Sequence, residues 1–320
     1  MAEKFLRFAH QVGEGVYAID TAFFRPEFDS CYLVTQVTAN GTQAAFIDVG
    51  TTYSAPRLIA SLEDLGLTPE DVKYIIPTHV HLDHAGGAGE MMRLCSNAKL
   101  IIHPRGARHM IDPTTLRAGA VVVYGEEIVQ KEYGHLVPIS QDRVVEAPDA
   151  YEVDLGGRKL VCIDTPGHAK HHMCIWDEKS KGIFTGDTFG LSYREFDTEK
   201  GSFVIPSSTP IQFDPIELRR SIEKIMVHQP KSVYLTHYGC ATNVPYLESQ
   251  FLEVLTQVEA LGMSLKNSED LQPKLRKGLS RIYLDALKKH GCTMPDSQVI
   301  DLLELDIDLN AQGMGVWLER

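Results

Sequence analysis

The stretch Thr78-His79-Val80-His81-Leu82-Asp83-His84-Ala85-Gly86-Gly87 constrains this chain more than any other. Three histidines and an aspartate fall within six positions, in a chain with 13 histidines among 320 residues, so chance clustering explains it poorly. The approach, Asp71-Val72-Lys73-Tyr74-Ile75-Ile76, is an apolar run of strand length. The exit is a glycine pair followed by Ala88-Gly89-Glu90-Met91-Met92-Arg93-Leu94, which reads as a helix start. Strand, ligand-rich turn and helix place a site at the carboxyl end of a sheet strand, as α/β proteins do. Neutral imidazoles suit zinc and iron, and a carboxylate adds charge to balance a second cation. His79 and His81 can converge on one ion, while Asp83 and His84 on the turn can face a neighbouring one.

Three more residues of ligand type follow strand-like runs. They are His168 in Thr165-Pro166-Gly167-His168, Asp187 in Phe184-Thr185-Gly186-Asp187-Thr188, and His237 in Val233-Tyr234-Leu235-Thr236-His237. The whole set, spread over residues 15–240, resembles the signature of the metallo-β-lactamase superfamily. Thr-Pro-Gly-His and Thr-Gly-Asp resemble its glyoxalase II-like and lactonase-like hydrolase branches in particular. The resemblance implies an α/β chain with the four-layer αββα fold, two mixed sheets between helices. It implies two divalent metal ions, zinc first, with iron or manganese as alternatives for a mixed His/Asp set. It assigns His79, His81 and His168 to one ion, Asp83, His84 and His237 to the other, and Asp187 to a bridge between them. It gives Asp48 a supporting place behind the ligand loop, where a carboxylate orients histidines. His172, four after His168, matches a recurrent histidine of the glyoxalase II-like branch. It is expected beside the site, supporting a ligand or contacting substrate, rather than as a ligand itself.

Two ions about 3.5 Å apart can share a water and lower its pKa to about 7. The resulting hydroxide would attack a carbonyl ester, thioester or lactone, with Asp83 handling the proton and Asp187 holding the ions. No Gly-x-Ser-x-Gly elbow supplies a serine nucleophile. A complete ligand set favours a metallo-hydrolase over a pure binding module. The alternatives within the resembled superfamily are a mononuclear iron persulfide dioxygenase-like enzyme and a phosphodiesterase.

A net charge of −12 argues against nucleic acid or an anionic membrane as the partner, and for a small-molecule substrate. No apolar run has the length of a membrane span, and the first residues lack a signal-peptide core. The six scattered cysteines form no close-spaced pair, so reduced thiols and a cytoplasmic location are expected.

Residues 1–244 are expected to form the catalytic domain, and residues 245–320 a helical C-terminal extension packed on it. A homodimer through the helical stripes is left open. Ser54 is expected to cap a helix that ends at Gly66, and Ser268 to cap a helix that ends at Gly291. A last helix starts at Asp296 or Ser297 and runs through Leu309, with Asp301, Glu304, Asp306 and Asp308 on a solvated face. The aromatic loop Phe23–Phe28 either reaches the site rim or packs under its own turn. Residues 104–148 are weakly patterned and suit a pocket wall or lid. In the loop after Asp187, Tyr193 is expected either to touch substrate, holding a carbonyl or oxyanion, or to pack as a core aromatic, and the substrate contact is the role assigned to it.

Overall fold

A computed structural model describes residues 6–208 and 210–320. One sheet runs β1 (Ala9–Gly13), β2 (Val16–Asp20), β3 (Ser30–Thr38), β4 (Gly41–Ile47), β5 (Val72–Ile76), β6 (Lys99–Ile102) and β7 (Val144–Glu146), in that spatial order. Its first four strands are antiparallel and the last three continue in parallel. The other runs in reverse from β13 (Gly239–Thr242) through β12 (Ser232–Leu235), β11 (Gly182–Gly186), β10 (Met173–Asp177) and β9 (Arg158–Asp164) to β8 (Tyr151–Leu155). The helices are α1 (Ala55–Leu65), α2 (Leu82–Ala85), α3 (Ala88–Leu94), α4 (Pro104–Ile111), α5 (Thr114–Tyr124), α6 (Glu126–Ile128), α7 (Pro215–Met226), α8 (Val244–Leu265), α9 (Leu271–His290) and α10 (Asp296–Leu318).

The layering follows from strand alternation. On β3 and β4, Tyr32, Val34, Ala45 and Ile47 point inward, against Leu160, Ile175 and Phe184 of the second sheet. Their neighbours Cys31, Leu33, Ala44 and Phe46 point outward, against Leu58 and Leu62 of α1 and Met91 and Met92 of α3. Successive side chains take opposite faces, so one run fills two cores. The second sheet does the same, with Cys174, Ile183 and Val233 packed against α7 and α8. Helix, sheet, sheet, helix is the expected αββα fold. Between the sheets, buried Arg158 pairs with Asp177, a charge pair that would be costly to leave half-made.

The remaining core joins α8, α9 and α10 to the aromatic loop, to Ala120 of α5 and to Tyr133. All six cysteines are unpaired, and four of them are buried. Among the described residues, no helix is long and apolar enough to cross a membrane.

Several boundaries differ from expectation. The outer strands β1 and β13 carry short or weakly apolar sequences, and pairing with β2 and β12 makes them strands. Ser54 occupies the N-cap position of α1 as expected, but its side chain makes no cap bond there; its Oγ accepts the Thr51 N–H at 3.2 Å, closing a capping box in the preceding turn. Asp270 rather than Ser268 occupies the cap of α9. Helix α10 continues to Leu318 through two glycines. A Cβ on Gly315 would come within 2.3 Å of Gln272, so the residue that looks like a breaker is where α9 packs closely.

Candidate metal centre

Strand β5 delivers Thr78, and Asp48 at the end of β4 fixes the ligand loop that starts there. Asp48 Oδ1 accepts the Thr78 backbone N–H at 2.7 Å. Its Oδ2 accepts from Thr236 Oγ1 at 2.8 Å and from His84 Nδ1 at 2.9 Å. Asp48 thus ties together the first ligand loop and the strand end that carries His237. Its backbone lies in the left-handed region, at φ +52°, a conformation that aspartate tolerates better than most residues.

Each of four histidines is held by one ring nitrogen and presents the other. His79 Nδ1 lies 3.1 Å from Thr78 Oγ1, and His168 Nδ1 lies 3.3 Å from Ser207 Oγ. His237 Nδ1 donates to the Phe28 carbonyl at 3.2 Å, and His84 Nδ1 to Asp48. Anchoring the far nitrogen sets tautomer and ring orientation, as metal-binding histidines require.

The presented atoms converge in two sets. Ligand atoms of His79, His81 and His168 lie within 4.8 Å of one another, and so do those of Asp83, His84 and His237. Asp187 stands between them. Its Oδ1 is 3.2 Å from His84 Nε2 and 3.6 Å from His237 Nε2, while its Oδ2 is 3.5 Å from His168 Nε2. Asp83 Oδ2 lies 3.3 Å from His237 Nε2.

The donors fit metal ions. Among the described residues, His79 Nε2, His84 Nε2 and Asp187 Oδ1 are buried and make no well-aligned hydrogen bond, although the last two face each other at 3.2 Å, an arrangement a folded interior seldom keeps without compensation. His168 Nε2 and His81 Nδ1 face each other at 3.1 Å. Burial and the neighbouring imidazoles hold His79 well below the usual histidine range, and burial with His168 brings His81 down to about 3, leaving lone pairs free. In the second set burial pulls the same way but is outweighed. Asp187, Asp48 and Asp83 hold His84 well above the usual range, and Asp187, Asp83 and Asp29 raise His237 to about 9. Burial works against ionised Asp83 and Asp187 too, yet the facing histidines keep both carboxyls below their usual range. The carboxylates attract positive charge at this spot, which a bound cation would supply.

Two glycines make the approach possible. A Cβ on Gly186, at φ +45°, would lie 2.5 Å from Thr78 Oγ1 and 2.6 Å from His172 Nε2. A Cβ on Gly167 would meet the Leu218 backbone at 2.4 Å, so Thr-Pro-Gly-His admits the start of α7.

Beside the cluster lies a cavity of about 340 Å³. Asp83, Asp187, His81 and His237 reach it, and its wall is mostly apolar. Phe23, Phe24 and Phe28 form part of the wall, so the aromatic loop does reach the site. Helix α5 contributes Leu116 and Ala120, and Tyr133 follows, so the weakly patterned segment is a pocket wall.

Two expectations, for Tyr193 and Asp306, are corrected here, and of the two roles expected for His172 the structure leaves the supporting one. His172 is fully buried, with Nδ1 2.9 Å from Thr165 Oγ1 and 3.1 Å from Thr188 Oγ1. Its Nε2 accepts the Asp187 N–H at 3.2 Å, so it holds the Asp187 backbone and has no atom left for substrate. Tyr193 does not line the cavity: its hydroxyl contacts both Asp306 carboxylate oxygens at 3.1–3.2 Å and its ring stacks on Phe28 at 5.3 Å. Asp306, expected on a solvated face, is buried and lines the cavity, while Asp301 and Glu304 are exposed as expected and Asp308 pairs with Arg276. Ser207, which anchors His168 from the long loop after Asp187, carries no sequence signal that marks it out.

Residues 25–237 match the family model described as the metallo-beta-lactamase superfamily. A metallo-beta-lactamase fold-containing protein of Sulfurisphaera tokodaii, ST1585, is 28% identical over 200 residues, 61% of this chain and 71% of that one. The crystal structure of ST1585, from Sulfolobus tokodaii, aligns with a TM-score of 0.61 at 26% identity, covering 86% of this chain and 99% of that one. A metallo-beta-lactamase family protein of Thermus thermophilus, TTHA1429, shares the fold at a TM-score of 0.65 and 21% identity, over 95% of this chain and 93% of its own. An N-acyl homoserine lactonase of Bacillus cereus is 31% identical over 137 residues, 43% of this chain and 45% of the lactonase.

Proposed function

The chain belongs to the metallo-beta-lactamase superfamily, and from that premise we propose that it is a dinuclear metal-dependent hydrolase of a carbonyl ester, thioester or lactone. The observation that carries the reading is the placement of Asp187, with one carboxylate oxygen turned to His168 and the other to His84 and His237. One carboxylate facing two histidine sets suits a bridge between two cations. When bound, a pair of divalent ions supplies Lewis acidity to the substrate carbonyl and a nucleophilic water at neutral pH.

The chain's own groups do the rest. His79, His81 and His168 would hold one ion, and Asp83, His84 and His237 the other. Asp48, Thr78, Ser207 and the Phe28 carbonyl keep four of the imidazoles aimed, which limits reorganisation when charge develops. Asp83 stands at the cavity edge and is the group placed to pass a proton to the leaving oxygen or sulfur. The apolar wall excludes water from the acyl side and seats a small molecule, consistent in size with common ligand cavities. Part-length similarity to a lactonase supports a lactone among the substrates to try first. The acidic net charge keeps nucleic acid out of the proposal, and the unpaired cysteines suit a reducing compartment such as the cytoplasm.

The test is a panel of esters, thioesters and lactones assayed with simultaneous oxygen electrode readings. Turnover of at least one carbonyl ester class, lost on chelation and restored by added zinc or manganese without oxygen uptake, is expected. Thiol-dependent oxygen consumption by a one-iron protein would replace this reading with a dioxygenase.

A further inference from the structure

The cavity wall beyond the ligand cluster has an uneven charge. Among the described residues that line it there is no lysine and no arginine. One acidic residue other than the ligand residues lines it, Asp306 on α10. Asp306 is 7% exposed, and the Tyr193 hydroxyl is its hydrogen-bond partner. An ionised carboxylate has about four acceptor sites, so a single phenol leaves most of them unused. Arg25 stacks on the Tyr193 ring at 4.9 Å and reaches Glu195 at 2.8 Å, and it does not line the cavity. A buried acceptor with spare lone pairs, facing an apolar chamber, is the pattern by which a site selects a donor and penalises analogues that lack one.

We propose that Asp306 is a recognition residue for a hydrogen-bond donor on the substrate, so that apolar carbonyl compounds bearing a hydroxyl, amide N–H or ammonium group are preferred over those bearing a carboxylate or phosphate. This rests on the hydrolase reading and narrows its substrate class. The cavity is contiguous with Asp83, Asp187 and His237, so scissile carbonyl and donor occupy one chamber. A donor at the right distance gains a charge-assisted bond with Asp306. An anionic group there meets a like charge with no cation in the wall to offset it. Helix α10 carries the specificity, and Asn310 fixes it to the loop beside the site. Asn310 Oδ1 accepts the Ser208 N–H at 2.7 Å, and its Nδ2 donates to Tyr283 Oη at 3.0 Å.

The experiment uses p-nitrophenyl octanoates with one hydroxyl walked along the acyl chain, together with amino and carboxy counterparts at each position. The full-length zinc-loaded protein and its Asp306→Asn and Tyr193→Phe variants are compared by kcat/KM. The expected result is one chain position where hydroxyl and amine exceed the plain alkyl ester by about tenfold, the size of a bond to a charged group, with the carboxylate poorest there. Asp306→Asn should flatten that maximum and relieve the carboxylate penalty. Tyr193→Phe, which leaves the carboxylate in place, should keep it. Alkyl methyl ketones with the same substituents, titrated calorimetrically, give a readout independent of turnover. If no ester reacts but ketone binding shows the donor preference and Asp306→Asn removes it, the hydrolase reading falls and the recognition stands. If esters react with no positional maximum, or the carboxylates react best, the recognition proposal is overturned. Equal loss of preference in both variants would also overturn it, since the pair would then act only through packing.

Discussion

In the ligand cluster, His79, His84, His168 and His237 are each fixed from behind through the far ring nitrogen, and Asp48 alone accepts from Thr78, Thr236 and His84. In the cavity wall next to it, Phe23, Phe28, Leu116 and Ala120 are held by packing, and Asp306, bonded to Tyr193 behind the wall, is the one acidic residue outside the ligand set. Directional bonds place atoms closely and leave no slack when one partner is removed. Apolar packing is non-directional and tolerates a change of shape if volume is kept. The cluster is therefore where the reaction is set, and the wall is where a different substrate can be admitted without rebuilding the chemistry.

Removing the bridge should break the contrast most severely. Asp187→Ala deletes the carboxylate between the two histidine sets, and a fall in kcat on the order of 10³, or roughly 4 kcal/mol, is expected by steady-state assay. The next effect concerns charge in the metal-free protein. His237 is raised to about 9, and His84 is raised too, from an ordinary value near 6.5 in the unfolded chain. Their contribution to stability is therefore complete below about pH 6.5 and is lost as pH rises through about 9. Denaturant titrations of chelated protein should lose stability across that window, on the order of 3 kcal/mol from His237 alone. Metal-loaded protein should not, because the cation takes the place of the protons.

Asp48→Ala keeps every ligand but removes the support of the His84 ring and the Thr78 backbone. Metal affinity should fall about 10- to 100-fold in competition with a chelating dye, with the ligand count unchanged. The smallest effect belongs to the wall. Ala120→Phe narrows the cavity from α5, and KM for long acyl esters should rise about tenfold while short esters and metal content stay as they are. Equal losses for short and long esters would mean that wall and cluster are not separable.

The two regions also differ in how far the sequence reveals them. Ligands sit in short local strings, because a strand end and a tight turn bring His79, His81, Asp83 and His84 together without help from distant chain. Even the glycines of Thr-Gly-Asp and Thr-Pro-Gly-His are readable as places of close approach. The wall is assembled from the Phe23–Phe28 loop, α5, Ser207, Pro210 and its two successors, and α10, and nothing in any one of them says what the others bring. Asp306 shows the difficulty. By charge it groups with Asp301, Glu304 and Asp308 as one acidic face, yet only Asp306 falls in register with Leu303, Ile307 and Met314, the buried stripe of α10. Helical spacing carries that signal, and net acidity obscures it. Tyr193 and His172 stand close to ligands in the sequence, but their burial and their partners depend on tertiary contacts that spacing does not encode.

Metal stoichiometry tests the central claim most directly. Chelated protein and its Asp187→Asn variant are titrated with zinc, and bound metal is counted by mass spectrometry of the elements after gel filtration. The account predicts two equivalents in the natural sequence and weakened retention of the pair in the variant, since one carboxylate serves both histidine sets. A single equivalent in the natural sequence, with the same occupancy in Asp187→Asn, would contradict a bridged pair and with it the proposed hydrolytic site.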